Sequence, residues 1–414
     1  MSSPTDPGAL RRAAHRFGTP LYVTDLSILA DAARDVRDAF PDPWIRQYSV
    51  KANDVPAVIA AVATHAFGAN VVSRGEWKAA TVAGMPNAAI TLEGIGKTAA
   101  DLRAAARVAR DGRPLKWVAV ESPEEAKALA AIVRRQGGPP LDVLYRLNPD
   151  VTPETMAGLA VGSGGSKFGM TETELGEAIE AGAGPGGPLR PRGIHLHVGS
   201  QLGAVDAWRD AVRRALALAA LWRGTIDDFD TVDVGGGFPV FEDMSPAPAP
   251  ARFARELPAL LEGMPQDRRP RRLAVEPGRY LVARAGALVA RVLHVRERGG
   301  RQVVLDAGMT ELIRPALYGA RHPIRALTSL GRSTDDGGAG PGVQPTRVEG
   351  PICESTDSLG VHDLPPLRRG DLVAIGHAGA YAASQSSTYN GRSRPAQVLL
   401  AADGALTLAR RRLA

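Results

Sequence analysis

Trp44-Ile45-Arg46-Gln47-Tyr48-Ser49-Val50-Lys51 reads as a short β-strand that runs straight into a lysine. Aromatic and β-branched residues favour a pleated, extended backbone. Seven further runs of similar character follow, at 69–72, 89–92, 116–120, 142–147, 193–198, 231–234 and 272–276. Between them lie Ala/Leu/Glu/Arg-rich segments of helical character, at 55–66, 75–83, 99–110, 122–135, 171–181, 205–222 and 251–262. Strands alternating with helices predict parallel strands joined by right-handed crossovers, and eight of them close a (β/α)8 barrel. A doubly wound open sheet is the alternative, but no Gly-x-Gly-x-x-Gly follows the first strand.

From about residue 286 the pattern changes. Strand-like runs recur without helices between them, at Ala287–Val295, Gln302–Asp306, Thr346–Val348, Asp371–Ile375, Ala396–Ala401 and Ala405–Ala409. The fold expected is therefore α/β plus all-β: a TIM barrel over 38–285 and a C-terminal β-barrel or sandwich domain over 286–414. The segment 1–37, with Thr19-Pro20-Leu21-Tyr22-Val23, is expected to join the β domain. Ser245–Pro250 and Ser333–Gly342 are rich in Pro, Gly, Ala and Asp and read as surface loops.

The composition narrows the function. With 44% hydrophobic and 23% charged residues in 414, the chain has an ordinary globular balance. The net charge of +6 is scattered over arginines that alternate with acids, and aromatics are 5%, which argues against nucleic acid as a partner. The lone cysteine, Cys353, excludes an intrachain disulfide and fits a reducing compartment. Met1–Gly18 is polar and broken by Pro4 and Pro7, and no apolar run approaches a membrane span. The chain reads as cytoplasmic, with no membrane partner.

Only six lysines stand among the 50 basic residues, so a lysine kept at a strand end draws attention. Lysine, unlike arginine, can lose its proton and attack an aldehyde. In a barrel the C-terminal strand ends share one rim, where function collects. Lys51, Ser73, Glu76, Arg146, Asn148, His195, His197 and Ser200 fall there, followed by Gly235-Gly236-Gly237 and Glu276-Pro277-Gly278-Arg279. Each has a plain reading: Gly-Gly-Gly fits a hinge as well as an anion cradle, Glu276 a cap or ion pair, His197 a structural ring. One cofactor uses them together. Pyridoxal 5′-phosphate needs an amine, a phosphate cradle, a ring-stacking partner and an acid for its pyridine nitrogen.

Tyr-Ser-Val-Lys-Ala-Asn (48–53), His-Leu-His-Val-Gly-Ser (195–200), Asp-Val-Gly-Gly-Gly-Phe (233–238) and Glu-Pro-Gly-Arg (276–279) resemble the fold-type III PLP-dependent decarboxylases. The likeness continues through Gly-Pro-Ile-Cys-Glu-Ser-Thr-Asp (350–357) and Ala-Gly-Ala-Tyr (378–381), and so spans about residues 17 to 400. Within that family Asp306–Tyr318 and Cys353-Glu354-Ser355 are most similar to the diaminopimelate decarboxylases. The resemblance implies that Lys51 carries the cofactor, His197 stacks on its ring and Glu276 meets its nitrogen. It assigns the phosphate to Ser200, Gly235, Gly236, Gly237, Gly278 and Tyr381, with Arg279 between phosphate and substrate and Tyr381 also near the substrate. Arg314 and Tyr318 would hold a distal carboxylate. Cys353, as proton donor, and Glu354, facing the distal amine, would come from the partner subunit of a homodimer with shared active sites. No metal is implied.

The activity implied is decarboxylation of meso-diaminopimelate to L-lysine, a step of lysine biosynthesis, on a small amino-acid substrate. Three departures stand out: Asn70 where the family usually has Asp, Thr356 in place of a frequent Gly, and a longer loop at Gly337–Gly342. A related decarboxylase of specialised metabolism, acting on another carboxylated amine, is the competing reading. A decarboxylase of basic amino acids fits less well, because Arg314 would repel a distal ammonium. An alanine racemase-like enzyme would share Lys51 and the barrel without needing the Arg314/Tyr318/Glu354 set, and a non-catalytic PLP-binding protein would be a barrel without the second domain.

Overall fold

The computed structural model describes residues 5–155, 160–162, 164–182, 187–241, 246–336, 340 and 342–413. The strands are β1 (Leu21–Asp25), β2 (Ile45–Ser49), β3 (Gly68–Val71), β4 (Ile90–Leu92), β5 (Trp117–Val120), β6 (Leu141–Leu147), β7 (Leu189–Leu196), β8 (Thr231–Asp233) and β9 (Arg272–Val275). Strands β2 to β9 pair in sequence order and in parallel, and β9 returns to β2 through Ile45↔Ala274 to close the barrel. This is the (β/α)8 architecture that the alternation of runs predicts. Its strands read as near-continuous apolar runs, such as Trp117-Val118-Ala119-Val120, because barrel side chains are buried on both faces.

Local chemistry places the helices on the outside. Ser73 caps the helix Arg74–Val82 by accepting from the Glu76 amide, while Glu76 accepts from the Val72 amide at 2.9 Å. Ser122 and Glu125 repeat the arrangement two units later, and Thr98 and Asp101 form a reciprocal capping box in the unit between. Ser73 and Glu76, counted among the rim residues on position alone, therefore terminate a helix.

The remaining strands are β10 (Gly286–Glu297), β11 (Arg301–Leu305), β12 (Ile324–Ala326), β13 (Thr328–Ser329), β14 (Arg332–Ser333), β15 (Gln344–Glu349), β16 (Ser358–Leu364), β17 (Leu372–Ile375), β18 (Ala396–Leu400) and β19 (Leu406–Arg410). Among the described residues they build a sheet in the order β16-β15-β11-β10-β1-β18-β19, with β17 joining β10 to β12. The N-terminal strand β1 sits inside this sheet, antiparallel to β10 and parallel to β18. Two helices flank it, α1 (Pro7–Phe17) and α2 (Leu26–Ala39). Asp6 accepts from two amides at the start of α1, with Pro7 at its first position. Ile28, Leu29, Ala33 and Val36 of α2 pack into the barrel core, whereas Leu10 and Ala13 of α1 pack under the sheet. Ser245 and residues 337–339 and 341, in the loops expected from composition, lie outside the described residues.

One irregularity aims the site. The β6–β7 register shifts between Val143 and Leu144, opposite Gly193. A Cβ on Gly193 would stand 1.7 Å from the Thr231 carbonyl oxygen, so only glycine permits this approach. Beyond the bulge His195 is buried, and His197 follows it just past the strand end, on the cavity wall.

Candidate active site

At the C-terminal rim a cavity of about 430 Å³ opens, and Lys51, His197, Glu276, Arg279, Arg314 and Tyr318 all line it. Lys51 sits in a single 3-10 turn, Val50–Ala52, directly after β2, exposed between two buried neighbours. The sheet domain braces that turn from above. Tyr381 donates its amide to the Ala52 carbonyl at 2.8 Å, Ser384 its hydroxyl to the Lys51 carbonyl at 3.0 Å, and Asn53 its side-chain amide to the Gly379 carbonyl at 3.1 Å. Tyr381 adopts φ 56°, a left-handed backbone that costs a non-glycine residue energy and that clusters at functional sites.

Three loops are laced together behind Lys51. Ser49 donates its amide to the Pro277 carbonyl, and Glu276 its amide to the Gly235 carbonyl at 2.9 Å. Gly237 takes φ 98°, and a Cβ there would come within 2.4 Å of the Gly199 oxygen. Gly237, Gly278, Ser200, Arg279 and Tyr381 line a narrow hollow of about 20 Å³ beside the main cavity. Arg279 donates to the Ser200 hydroxyl at 3.2 and 3.3 Å and stacks 4.7 Å from the Tyr381 ring centre. Gly235 and Gly236 turn elsewhere: the first amide donates to Asp233 at 2.9 Å, the second to His197 Nδ1 at 3.3 Å. Of the three glycines Gly237 lines the hollow, and the other two are bonded beside it.

His197 accepts through Nδ1, which leaves Nε2 to carry the proton of a neutral ring. Burial first, then the charges of Lys51 and Arg146, hold it well below the usual imidazole range. A neutral, flat ring at this position suits stacking. Beneath it Glu276 is buried, and Asn70 donates a hydrogen bond to Glu276 Oε1. His195 Nε2 lies 3.4 Å from Glu276 Oε2 and also 3.4 Å from Glu93 Oε2. Glu93 and Asn70 were not singled out for chemistry in the sequence. Glu93 immediately follows β4, a strand end that the rim reading passes over.

At the outer wall Arg314 is buried on the short helix Arg314–Tyr318, its guanidinium 5.4 Å from the Tyr318 ring centre. Arg146 also lines the cavity, paired with buried Glu121 at 2.7 Å. Cys353 and Glu354 stand apart. Both are exposed, neither lines the cavity, and Tyr389 donates its hydroxyl to Glu354. Their loop is fixed by Asp357, which accepts from the Ile352 and Met309 amides and so ties it to the turn that leads to Arg314.

The donor set fits pyridoxal phosphate. An acid lies deep on the floor for a ring nitrogen, a lysine stands at the mouth for an aldehyde, and a glycine-lined hollow with a guanidinium and a hydroxyl stands ready for a dianion.

Comparison with known proteins agrees with this geometry. Residues 26–283 match the family model described as pyridoxal-dependent decarboxylase, pyridoxal binding domain. The chain is 34% identical to the diaminopimelate decarboxylase of Aquifex aeolicus over 98% of its own length and 91% of that protein's. It is 37% identical to that of Deinococcus radiodurans, covering 94% and 92%. The crystal structure of the Helicobacter pylori diaminopimelate decarboxylase complexed with L-lysine superposes with a TM-score of 0.87 at 29% identity, covering 98% of this chain and 96% of that one. By fold, cavity and sequence alike, the chain belongs to the diaminopimelate decarboxylase family of pyridoxal-dependent carboxy-lyases.

Proposed function

We propose that this chain is a pyridoxal 5′-phosphate-dependent carboxy-lyase that converts meso-2,6-diaminopimelate to L-lysine and CO2 in lysine biosynthesis. The observation that carries the reading is the buried guanidinium of Arg314 on the same cavity as Lys51. On the cavity wall its planar fork, beside the Tyr318 hydroxyl, matches a carboxylate. The relatives bearing that activity in their names, and the lysine complex among the similar structures, support it.

The residues divide the work. Lys51 would hold the cofactor by its aldehyde, with its amine at the mouth of the cavity where the amine of the substrate enters. Glu276 would accept the N–H of the pyridine ring and keep that nitrogen protonated, and His197 would lie against the ring face; both line the cavity. Arg279, the Ser200 hydroxyl and the Gly237 amide anchor the phosphate. Arg314 and Tyr318 grip the distal carboxylate, leaving the other one free to depart. Pyridoxal phosphate, when bound, supplies the electron sink for the pair left behind by CO2.

The site is completed by a second copy of the chain. Exposed Cys353 and Glu354 lie off their own cavity, on a loop held rigid by Asp357. In a homodimer they enter the neighbouring cavity, where Cys353 delivers a proton to the carbon that lost CO2 and Glu354 meets the distal amine. An isologous interface builds both composite sites at once. A reducing, cytoplasmic setting fits a chain whose lone cysteine can form no intrachain disulfide.

Product analysis tests the reading. The purified protein with pyridoxal phosphate is incubated with meso-diaminopimelate, lysine, ornithine and other carboxylated diamines. L-lysine from diaminopimelate as the preferred reaction supports it; faster turnover of lysine or ornithine overturns it.

A further inference from the structure

We propose that Glu93 is a positioning residue of this site: a carboxylic acid on the cavity floor that carries a proton and, with Asn70 and His195, holds the Glu276 carboxylate toward the pyridine nitrogen. The inference rests on the assignment of Glu276 to that nitrogen.

The geometry is a cluster around one amide. Asn70 Nδ2 donates to Glu93 Oε2 at 2.8 Å and also to Glu276 Oε1, so a single NH2 group serves two carboxyls. His195 Nε2 stands between the same two acids, and the donor atoms of Glu93, His195 and Glu276 all lie within 4.8 Å of one another. Trp117 of β5 offers its indole N–H to Glu93 Oε1 at 3.4 Å. Asp233 of β8 faces the cluster from behind, its Oδ1 taken by the Gly235 amide. The cations nearby are Arg146 of β6, engaged by Glu121, and Lys51 beyond β2.

Two buried carboxylates cannot share one amide and one neutral ring without a proton between them. Burial, then the charge of Glu276, pushes Glu93 up to about 8, while burial pushes His195 down to about 4. The proton therefore sits on Glu93 at neutral pH and not on the imidazole. Asp233, raised by burial and by Glu276 and Glu93, is the competitor, but it is shut off from the cavity that Glu93 lines. The arrangement also accounts for Asn70. Only an amide donates to both acids, and a carboxyl there would add a further acid to the cluster.

The test follows the cofactor's absorbance in the loaded protein through neutral and alkaline pH, alongside cofactor affinity. The wild type should pass through a spectral step at neutral to alkaline pH as Glu93, raised by burial and by Glu276, ionises. Glu93→Gln keeps shape and neutrality, so it should bind cofactor within about threefold of wild type and lose the step. Asn70→Asp adds an acid and should move the step to higher pH. A step that survives unchanged in Glu93→Gln puts the proton on Asp233 or elsewhere and overturns the proposal, as does a loaded wild type with no step. Should Glu93→Gln fail to fold, an unmoved step in Asn70→Asp overturns it. A wild type that takes up no cofactor fails the functional reading and this inference with it; a loaded one whose step ignores Glu93 fails this inference alone.

Discussion

The guanidinium of Arg279 lies over the Tyr381 ring, 4.7 Å from its centre, so a barrel strand end and a loop of the sheet domain meet face to face above the cofactor hollow. Tyr381 is held in this place by its left-handed backbone and by the hydrogen bond its amide donates to the Ala52 carbonyl. Two roles separate by substitution. Tyr381→Phe keeps the stack but removes the hydroxyl, and should weaken cofactor binding by about 1.5–3 kcal/mol, the range for a hydrogen bond to a charged group. Tyr381→Ala should cost more by also removing the stacked ring. Equilibrium titration of apoprotein with pyridoxal phosphate measures both, and equal losses would deny the hydroxyl a role.

Arg314 is expected to select a substrate with a distal carboxylate. Arg314→Ala should lower kcat/KM for diaminopimelate by about 2–4 kcal/mol, as for a buried charged partner, with cofactor binding little changed. Steady-state kinetics beside a cofactor titration check this. An unchanged kcat/KM would remove Arg314 from substrate recognition.

Shared sites make a prediction about mixtures. Lys51→Ala and Glu354→Ala should each be inactive, yet subunit exchange should restore roughly a quarter of wild-type activity. Random reassortment puts half of the protein in heterodimers, and each heterodimer holds one site free of both lesions. No recovery after demonstrated exchange would mean that each chain completes its own site.

The buried cluster sets a pH dependence of apoprotein stability. Glu93 is raised from 4.5 to about 8, so between those values the folded state holds a proton that the unfolded chain has lost. That contribution to stability falls as pH rises through the window. His195, lowered from 6.5 to about 4, acts oppositely, its contribution growing as pH rises to 6.5. The two oppose each other below pH 6.5; above it the fall due to Glu93 amounts to about 2 kcal/mol by pH 8, and raised Asp233 acts in the same direction. Glu93→Gln should lose the Glu93 share of that fall. Denaturant unfolding of both proteins at matched pH measures it.

The barrel was legible because buried parallel strands need apolar runs on both faces, and each run from Trp44–Val50 to Arg272–Glu276 overlaps a barrel strand. The sheet was read in part. β16, Ser-Leu-Gly-Val-His-Asp-Leu, is a strand with one buried face, and its glycine and polar residues hide it in a search for apolar runs. Helices α1 and α2 went unread although Asp6-Pro7 and Asp25 signal their starts. In the site, groups with a distinctive residue type at a strand end, such as Lys51, His197 and Glu276, stood out. Glu93 did not, because its role depends on Asn70, His195 and Glu276, which come from three other strand ends and meet only when the barrel closes.

The central claim is that cofactor chemistry takes place at Lys51. Borohydride reduction of the cofactor-loaded protein, followed by peptide mapping, tests it most directly. Lys97 is committed to an ion pair with Glu125 at 3.1 Å and Lys167 lies by the Phe168 ring, whereas Lys51 is free to face the cavity. Visible absorbance that reduction abolishes, with the label fixed on Lys51, is expected; a label recovered on Lys97, Lys167 or any other lysine would refute the assignment.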